Sequence, residues 1–309
     1  MISSIFPNEG AANLCGDMTE RSIVVCGAGL MGHGIAQVMA AAGHNVALYE
    51  PEVARAEAGR ARIDSNLQRA VAKEKITDEV RQEQLGRISV AGDLAAAAAS
   101  AELVVEAVFE DEAVKQELFR ALDLAAPSSA VFASNTSSIS ITTLAGALSE
   151  SRRQRFVGMH FFSPVPVMPL IEMIRGADTE DATEAYVREI AAELGKQVIV
   201  SGDRPGFIVN RILMPFLVES MRAYEEGLAT AEDIDTGAKI GLNHPMGPLE
   251  LADFIGLDVC LNIMGVLHDG FGDERFAAPA VLRQLVEAGH LGQKTGHGFH
   301  TYPREQKPG

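Results

Sequence analysis

Apolar and polar positions change period repeatedly along the first two thirds of the chain. SIVVC at 22–26 is an apolar run too short for a helix and stopped by glycine, which predicts a buried strand. From 30 to 42 small and apolar residues follow helical spacing, and NVALY at 45–49 reads as a second strand. Strand, helix and strand in that order predict two parallel strands joined by a crossover helix. The segment 52–87 is charged and helix-forming, with an N-cap signal at Thr77-Asp78 that splits it into two amphipathic helices. Strands are predicted at 103–106, 130–134, 155–160, 170–174 and 197–200, with helices at 112–124 and 180–194. After residue 201 the pattern turns helical: 205–226, 230–240, 247–253, 257–267 and 279–288, with glycine and proline at the joins. The expected fold class is α/β, a doubly wound and mostly parallel sheet at 21–203 followed by an all-helical C-terminal domain at 204–309. An irregular tail is expected at 1–20.

Between the first strand and helix lies Gly27-Ala28-Gly29-Leu30-Met31-Gly32. The first glycine permits a tight turn, the second lets a pyrophosphate approach the backbone, and the third lets helix and strand pack closely. Glu50 ends the second strand, at the distance where a carboxylate meets the adenosine ribose hydroxyls. A glycine-rich turn can serve packing alone, but here strand, helix and acid all stand in the expected places. They predict a Rossmann-type dinucleotide site. Glu50 followed by Pro51 and Glu52 would repel a ribose phosphate and favours NAD over NADP, although Arg55 is near enough to reach in.

Composition narrows the picture further. A chain of 309 residues exceeds one compact domain, and a net charge of −16 argues against nucleic acid or an anionic membrane as partner. Cys15, Cys26 and Cys260 are odd in number and show no metal or redox spacing, so no metal site and no structural disulfide are expected. The first 20 residues lack the basic start and apolar core of a signal peptide. The alanine-rich tract 94–109 carries Glu102 and Glu106, which speaks against a membrane span. A cytoplasmic location is expected.

The candidate catalytic stretch is 155–172. It places His160 within an apolar strand, then Pro164, Pro166 and Pro169, then Glu172. Taken alone, His160 reads equally as a base and as a packed core histidine. The cluster Ser134-Asn135-Thr136-Ser137-Ser138 follows a strand at the edge where such sheets bind ligands, but hydroxyl residues there also serve as helix caps.

With GAGLMG, SNTSS, HFFSPVPVMPLIE and PGFIVNR at 205–211 considered together, the sequence resembles the short-chain 3-hydroxyacyl-CoA dehydrogenase family, bacterial 3-hydroxybutyryl-CoA dehydrogenases included. The resemblance covers about residues 20–302 in unbroken order. It implies NAD as cofactor and an acyl-CoA substrate, while the apolar faces of helices such as 211–224 suit a homodimer through the second domain. It further implies that His160 is the catalytic acid/base and Glu172 its orienting carboxylate, and that Ser137 and Asn210 position the substrate oxygen and the thioester. Glu110, Lys115, Ser137, Ser163 and Lys294 match cofactor contacts, as does the glycine loop with Glu50, and Asn66 and Lys73 match positions beside CoA. Plainer roles stand against some of these. Lys73 can be an exposed helix lysine, Lys115 a helix ion pair with Asp111 or Glu112, and Asn210 a helix-surface residue.

Four positions depart from the family pattern. Ser163 replaces the asparagine of HFFNP, which bears on cofactor affinity rather than chemistry. Asn66 stands where serine is frequent, and His297 and His300 stand in place of an acid and an aromatic, so the terminal loop is expected to pack differently. The competing functions are a dehydrogenase of the same superfamily acting on a sugar acid or small hydroxy acid, and a non-catalytic NAD-binding structural protein.

Overall fold

A computed structural model describes residues 20–303; the expected tail up to residue 19, including Cys15, lies outside them. The chain divides into two compact units, one ending at Thr136 and resuming over Ile141–Val200, the other made of Ser137–Ser140 and everything from Ser201.

The first unit is built on an eight-stranded sheet. In chain order it contains β1 (Ser22–Cys26), α1 (Leu30–Ala41), β2 (Asn45–Tyr49), α2 (Val53–Ala72), α3 (Asp78–Gly86), β3 (Ile88–Ala91), α4 (Leu94–Ala98), β4 (Leu103–Glu106), α5 (Glu112–Ala125) and β5 (Val131–Ser134). Then come α6 (Ile141–Ala145), α7 (Glu150–Arg153), β6 (Phe156–Phe161), β7 (Leu170–Arg175), α8 (Asp181–Glu193) and β8 (Gln197–Gly202). The spatial order is β3-β2-β1-β4-β5-β6-β7-β8. Strand order reverses between β1 and β4, and the crevice outside the carboxyl ends of strands at such a point is where doubly wound sheets bind ligands.

Every paired step from β3 through to β6 is parallel, and β6 pairs antiparallel with β7. The reason lies in the connections. A parallel return needs a crossover of a dozen or more residues, and 162–169 is too short and too rich in proline to make one. The core on the sheet faces includes Ile23, Val25, Ile35, Met39, Leu48, Ile63, Val105 and Met159, all fully buried. The β3 and α4 segments were not expected. β3 is a four-residue strand after a charged helix, and α4 is the part of the alanine-rich tract capped by Asp93, whose side chain accepts from Ala96 N–H.

The second unit holds α9 (Val209–Glu225), α10 (Ala231–Thr236), α11 (Pro248–Ile255), α12 (Leu257–Phe271) and α13 (Ala280–Glu287) around Met214, Leu217, Met221, Leu249, Leu257, Cys260, Met264 and Leu267. The helix expected from 205 starts instead at Val209, because Gly206 and Phe207 take positive φ (72° and 51°), outside the helical region. The turn is forced by packing. A side chain on Gly206 would meet Leu267 at 2.5 Å, and Pro205 occupies the space that Gly270 leaves open. The helix expected over 230–240 is α10 followed by a π-helical turn, Gly237–Gly241. Among the described residues no single helix is long and apolar enough to cross a membrane.

Candidate active site

The glycine loop is where sequence and geometry meet most directly. Gly27 has φ 102°, and a Cβ there would lie 2.4 Å from Ala107 O; on Gly32 it would lie 1.7 Å from Gly27 O. Both glycines are therefore required by the fold itself. Gly29 is different, since its φ is ordinary and a Cβ would meet nothing within 4 Å. Its smallness serves no neighbour in the chain but keeps open the space before the α1 N-terminus, where an anion is favoured by unpaired N–H groups and the helix dipole. Glu50, buried at the end of β2, accepts from Ala28 N–H at 2.8 Å through Oε1; among the described residues its Oε2 takes no hydrogen bond. The imidazole Nδ1 of His33, a residue the motif reading passed over, lies 2.6 Å from Gly29 O and steadies the same loop. A dinucleotide fits this cradle.

Beside it, α5 and the ends of β4 and β5 enclose a buried charge network. Lys115 is 1 % exposed, and its Nζ lies 2.5 Å from Glu106 Oε1 and 3.1 Å from Glu110 Oε2. The helix ion pair with Asp111 or Glu112 is thus replaced by pairing with a strand acid, because burial turns the side chain inward. Glu106 also accepts from Val108 N–H at 2.7 Å and Ser134 Oγ at 2.6 Å, while Thr136 Oγ1 donates to Glu110 at 2.6 Å. Burial pushes the Glu106 carboxyl up, against the opposing pull of Lys115 and the hydrogen bonds. That Glu106 pairs with Lys115 is visible only in the fold.

His160 and Glu172 are brought together by register. They are direct cross-strand partners in the β6/β7 pair, 7 % and 0 % exposed, with His160 Nδ1 2.9 Å from Glu172 Oε2. Since a carboxylate only accepts, Nδ1 is the nitrogen that donates to Glu172. The Phe162 ring leans against the imidazole at 4.6 Å between centroids. Asn135 Oδ1 accepts from Phe161 N–H at 2.8 Å, so the SNTSS segment braces the end of the strand that carries the histidine. Ser163, which opens the following loop, is exposed.

The other candidates are distributed as follows. Asn66 and Lys73 lie on α2 and at its C-cap, seven residues apart and so on one helix face. Asn66 bonds Gln37 at 3.2 Å and also accepts from Arg69, while Lys73 is exposed. In the second unit Ser137 is half-buried, and Asn210 is buried in the first turn of α9 rather than on a helix surface. Lys294 Nζ is held by both carboxylate oxygens of Asp258, at 2.5 and 2.6 Å. The terminal loop is fastened by two buried acids that sequence reading did not single out. Asp253 accepts from Phe299 N–H, His300 N–H and Tyr302 Oη, and Asp235 accepts from Leu249 N–H, Glu250 N–H and His300 Nε2. His300 therefore acts as a clasp where the family pattern has another residue.

A cradle for a dinucleotide and a carboxylate-held histidine at the carboxyl edge of the same sheet define a nucleotide-dependent oxidoreductase. The family described as 3-hydroxyacyl-CoA dehydrogenase, NAD binding domain, matches residues 22–204, and the C-terminal domain of the same family matches 206–302. The chain belongs to the 3-hydroxyacyl-CoA dehydrogenase family. It is 48 % identical over 288 residues to 3-hydroxybutyryl-CoA dehydrogenase of Bradyrhizobium diazoefficiens, covering 93 % of this chain and 97 % of that one. The crystal structure of Mycobacterium tuberculosis FadB2 is similar with a TM-score of 0.89 and 45 % identity, covering 92 % of this chain and 100 % of that one. That of (S)-3-hydroxybutyryl-CoA dehydrogenase PaaH1 from Ralstonia eutropha has a TM-score of 0.87 and 43 % identity, covering 93 % and 100 %.

Proposed function

We propose that the protein interconverts L-3-hydroxyacyl-CoA and 3-oxoacyl-CoA by hydride transfer at C3, with NAD as the redox partner. The observation that carries this reading is the buried His160–Glu172 pair, cross-strand partners with Nδ1 2.9 Å from Oε2 near the carboxyl end of β6. NAD, when bound, supplies the hydride acceptor at C4 of its nicotinamide ring. His160 takes the proton of the 3-hydroxyl through Nε2 as the alcohol is oxidised and returns it in the reverse direction. Glu172 fixes the tautomer and stabilises the imidazolium that forms. The loop 27–32 and Glu50 would hold the pyrophosphate and ribose, and Glu110, Lys115, Ser163 and Lys294 would supply the other cofactor contacts. Ser137 and Asn210 position the substrate oxygen and thioester, and Asn66 and Lys73 meet the CoA portion from α2.

The exposed apolar side chains Ile212, Leu228, Ile240, Leu242 and Phe254 of the helical unit support a homodimer, which sedimentation at micromolar concentration tests. A cytoplasmic location, with neither nucleic acid nor membrane as partner, agrees with the acidic balance of the chain. The deciding assay follows NADH and NADPH oxidation against 3-oxoacyl-CoA substrates of increasing chain length, with gulonate and NAD as the contrasting pair. Turnover of acetoacetyl-CoA with NADH is expected. Activity on gulonate without activity on any acyl-CoA would overturn the assignment.

A further inference from the structure

The loop 162–169 joins the strand of His160 to the strand of Glu172, and its composition creates a hydrogen-bonding problem. Pro164, Pro166 and Pro169 bring carbonyls but no N–H, so the loop has more acceptors than donors. Val167 N–H and Met168 N–H both donate to Pro164 O, which uses two of its donors on one carbonyl. The carbonyls of Val165 and Met168 are met from outside by a single group. Lys196, between α8 and β8, donates through Nζ to Val165 O and to Met168 O, each at 2.7 Å. An ammonium has three donors and no acceptor, which is the complement of what the prolines leave.

Lys196 is half-buried, and among the described residues no carboxylate is paired with it. Burial alone pushes its ammonium below the usual lysine range. A desolvated cation held only by carbonyls is uncommon in a surface role. The loop has a second anchor. Gly34 of α1 leaves the space that buried Val165 fills, since a Cβ there would lie 2.9 Å from Val165 Cβ. Lys196 and Gly34 thus hold the connection between base and acid against the helix whose N-terminus forms the cofactor cradle.

We propose that Lys196 is a positioning residue of the reaction, fixing the 162–169 loop so that the ends of β6 and β7 hold the His160 imidazole still against α1. The proposal rests on the functional reading above. Lys196→Met keeps the length of the side chain and removes its donors. It is expected to lower kcat at least tenfold with acetoacetyl-CoA and NADH, to leave the KM for acetoacetyl-CoA within threefold, and to speed amide exchange in 162–170. Lys196→Arg, which restores donors, is expected to recover kcat to within threefold of wild type. A folded Lys196→Met with kcat within twofold of wild type, a loss carried by KM alone, or unchanged exchange in 162–170 overturns the proposal. Should that variant not fold, Val165→Ala loosens the same loop at its other anchor, and faster exchange there with unaltered kcat is the overturning result. A wild type inactive on acetoacetyl-CoA refutes the functional reading instead, and the hold of Lys196 on the loop is then decided by the exchange measurement alone.

Discussion

Among the described residues of the sheet unit, two buried histidines face a glutamate, His160 with Glu172 at 2.9 Å and His44 with Glu193 at 3.2 Å. They lie at opposite edges of the sheet, the first near the carboxyl end of β6 and the second just before β2, where His44 meets the end of α8. Glu172 faces its histidine as a cross-strand partner and makes an aligned hydrogen bond. Glu193 also accepts from Arg21 at 3.2 Å, and its contact with His44 lacks hydrogen-bond alignment. Arg21 further pairs with Glu189 and lies over the Tyr186 ring. His44 is 0 % exposed, and burial, aided by Arg21 and opposed by Glu193, holds its imidazole below the ordinary histidine value of 6.5. A carboxylate within reach does not make a histidine a base. The acid must be aligned with the ring, as Glu172 is and Glu193 is not.

Breaking the first pair at its base has the largest expected effect. His160→Gln should lower kcat by about 10³-fold or more while NADH affinity, read by fluorescence titration, stays near wild type. An active variant would end the assignment of His160. Glu172→Gln keeps the shape but removes the charge that holds the imidazolium, and a kcat loss of about 10²-fold is expected.

The second pair should respond in stability rather than rate. Arg21→Met leaves Glu193 and His44 to each other in a buried site and is expected to cost about 2 kcal/mol of unfolding free energy in urea melts. Its kcat should be unaltered, and a catalytic loss would show that the two edges are not independent. The smallest effect concerns pH. Between the depressed folded value of His44 and 6.5, the unfolded chain binds more protons than the folded one, so stability rises with pH and is lost on acidification. His44→Asn should flatten that slope below pH 6.5, by less than about 1.4 kcal/mol per unit. An unchanged slope would mean that other groups carry it.

Much of this organisation was legible beforehand because its causes are local. The 22–49 unit rests on period, glycine placement and one acid, and those can be read within thirty residues. Gly27 and Gly32 are packing requirements, whereas a Cβ on Gly29 would meet nothing within 4 Å. What stayed hidden depends on contacts distant in sequence or on backbone conformations that the residue type disguises. Lys115 has acids at helical spacing but finds Glu106 across a strand. Phe207 carries a positive φ that no aromatic advertises, so the start of α9 was set four residues early. Lys196 could not be tied to Val165 and Met168 without the path of β8. His160 and Glu172 were matched through family resemblance, whereas the physical cause of their meeting, the antiparallel register, became visible only in the fold.

That register has a consequence for how such a site can be altered or moved. Base and acid face each other because their strands are paired, and the loop that joins the strands can be lengthened without changing which residues are opposite. One residue inserted within either strand would turn its partner to the other face of the sheet. The segment from Phe156 to Arg175 is therefore a self-aligning cassette, in which strand pairing alone sets His160 opposite Glu172.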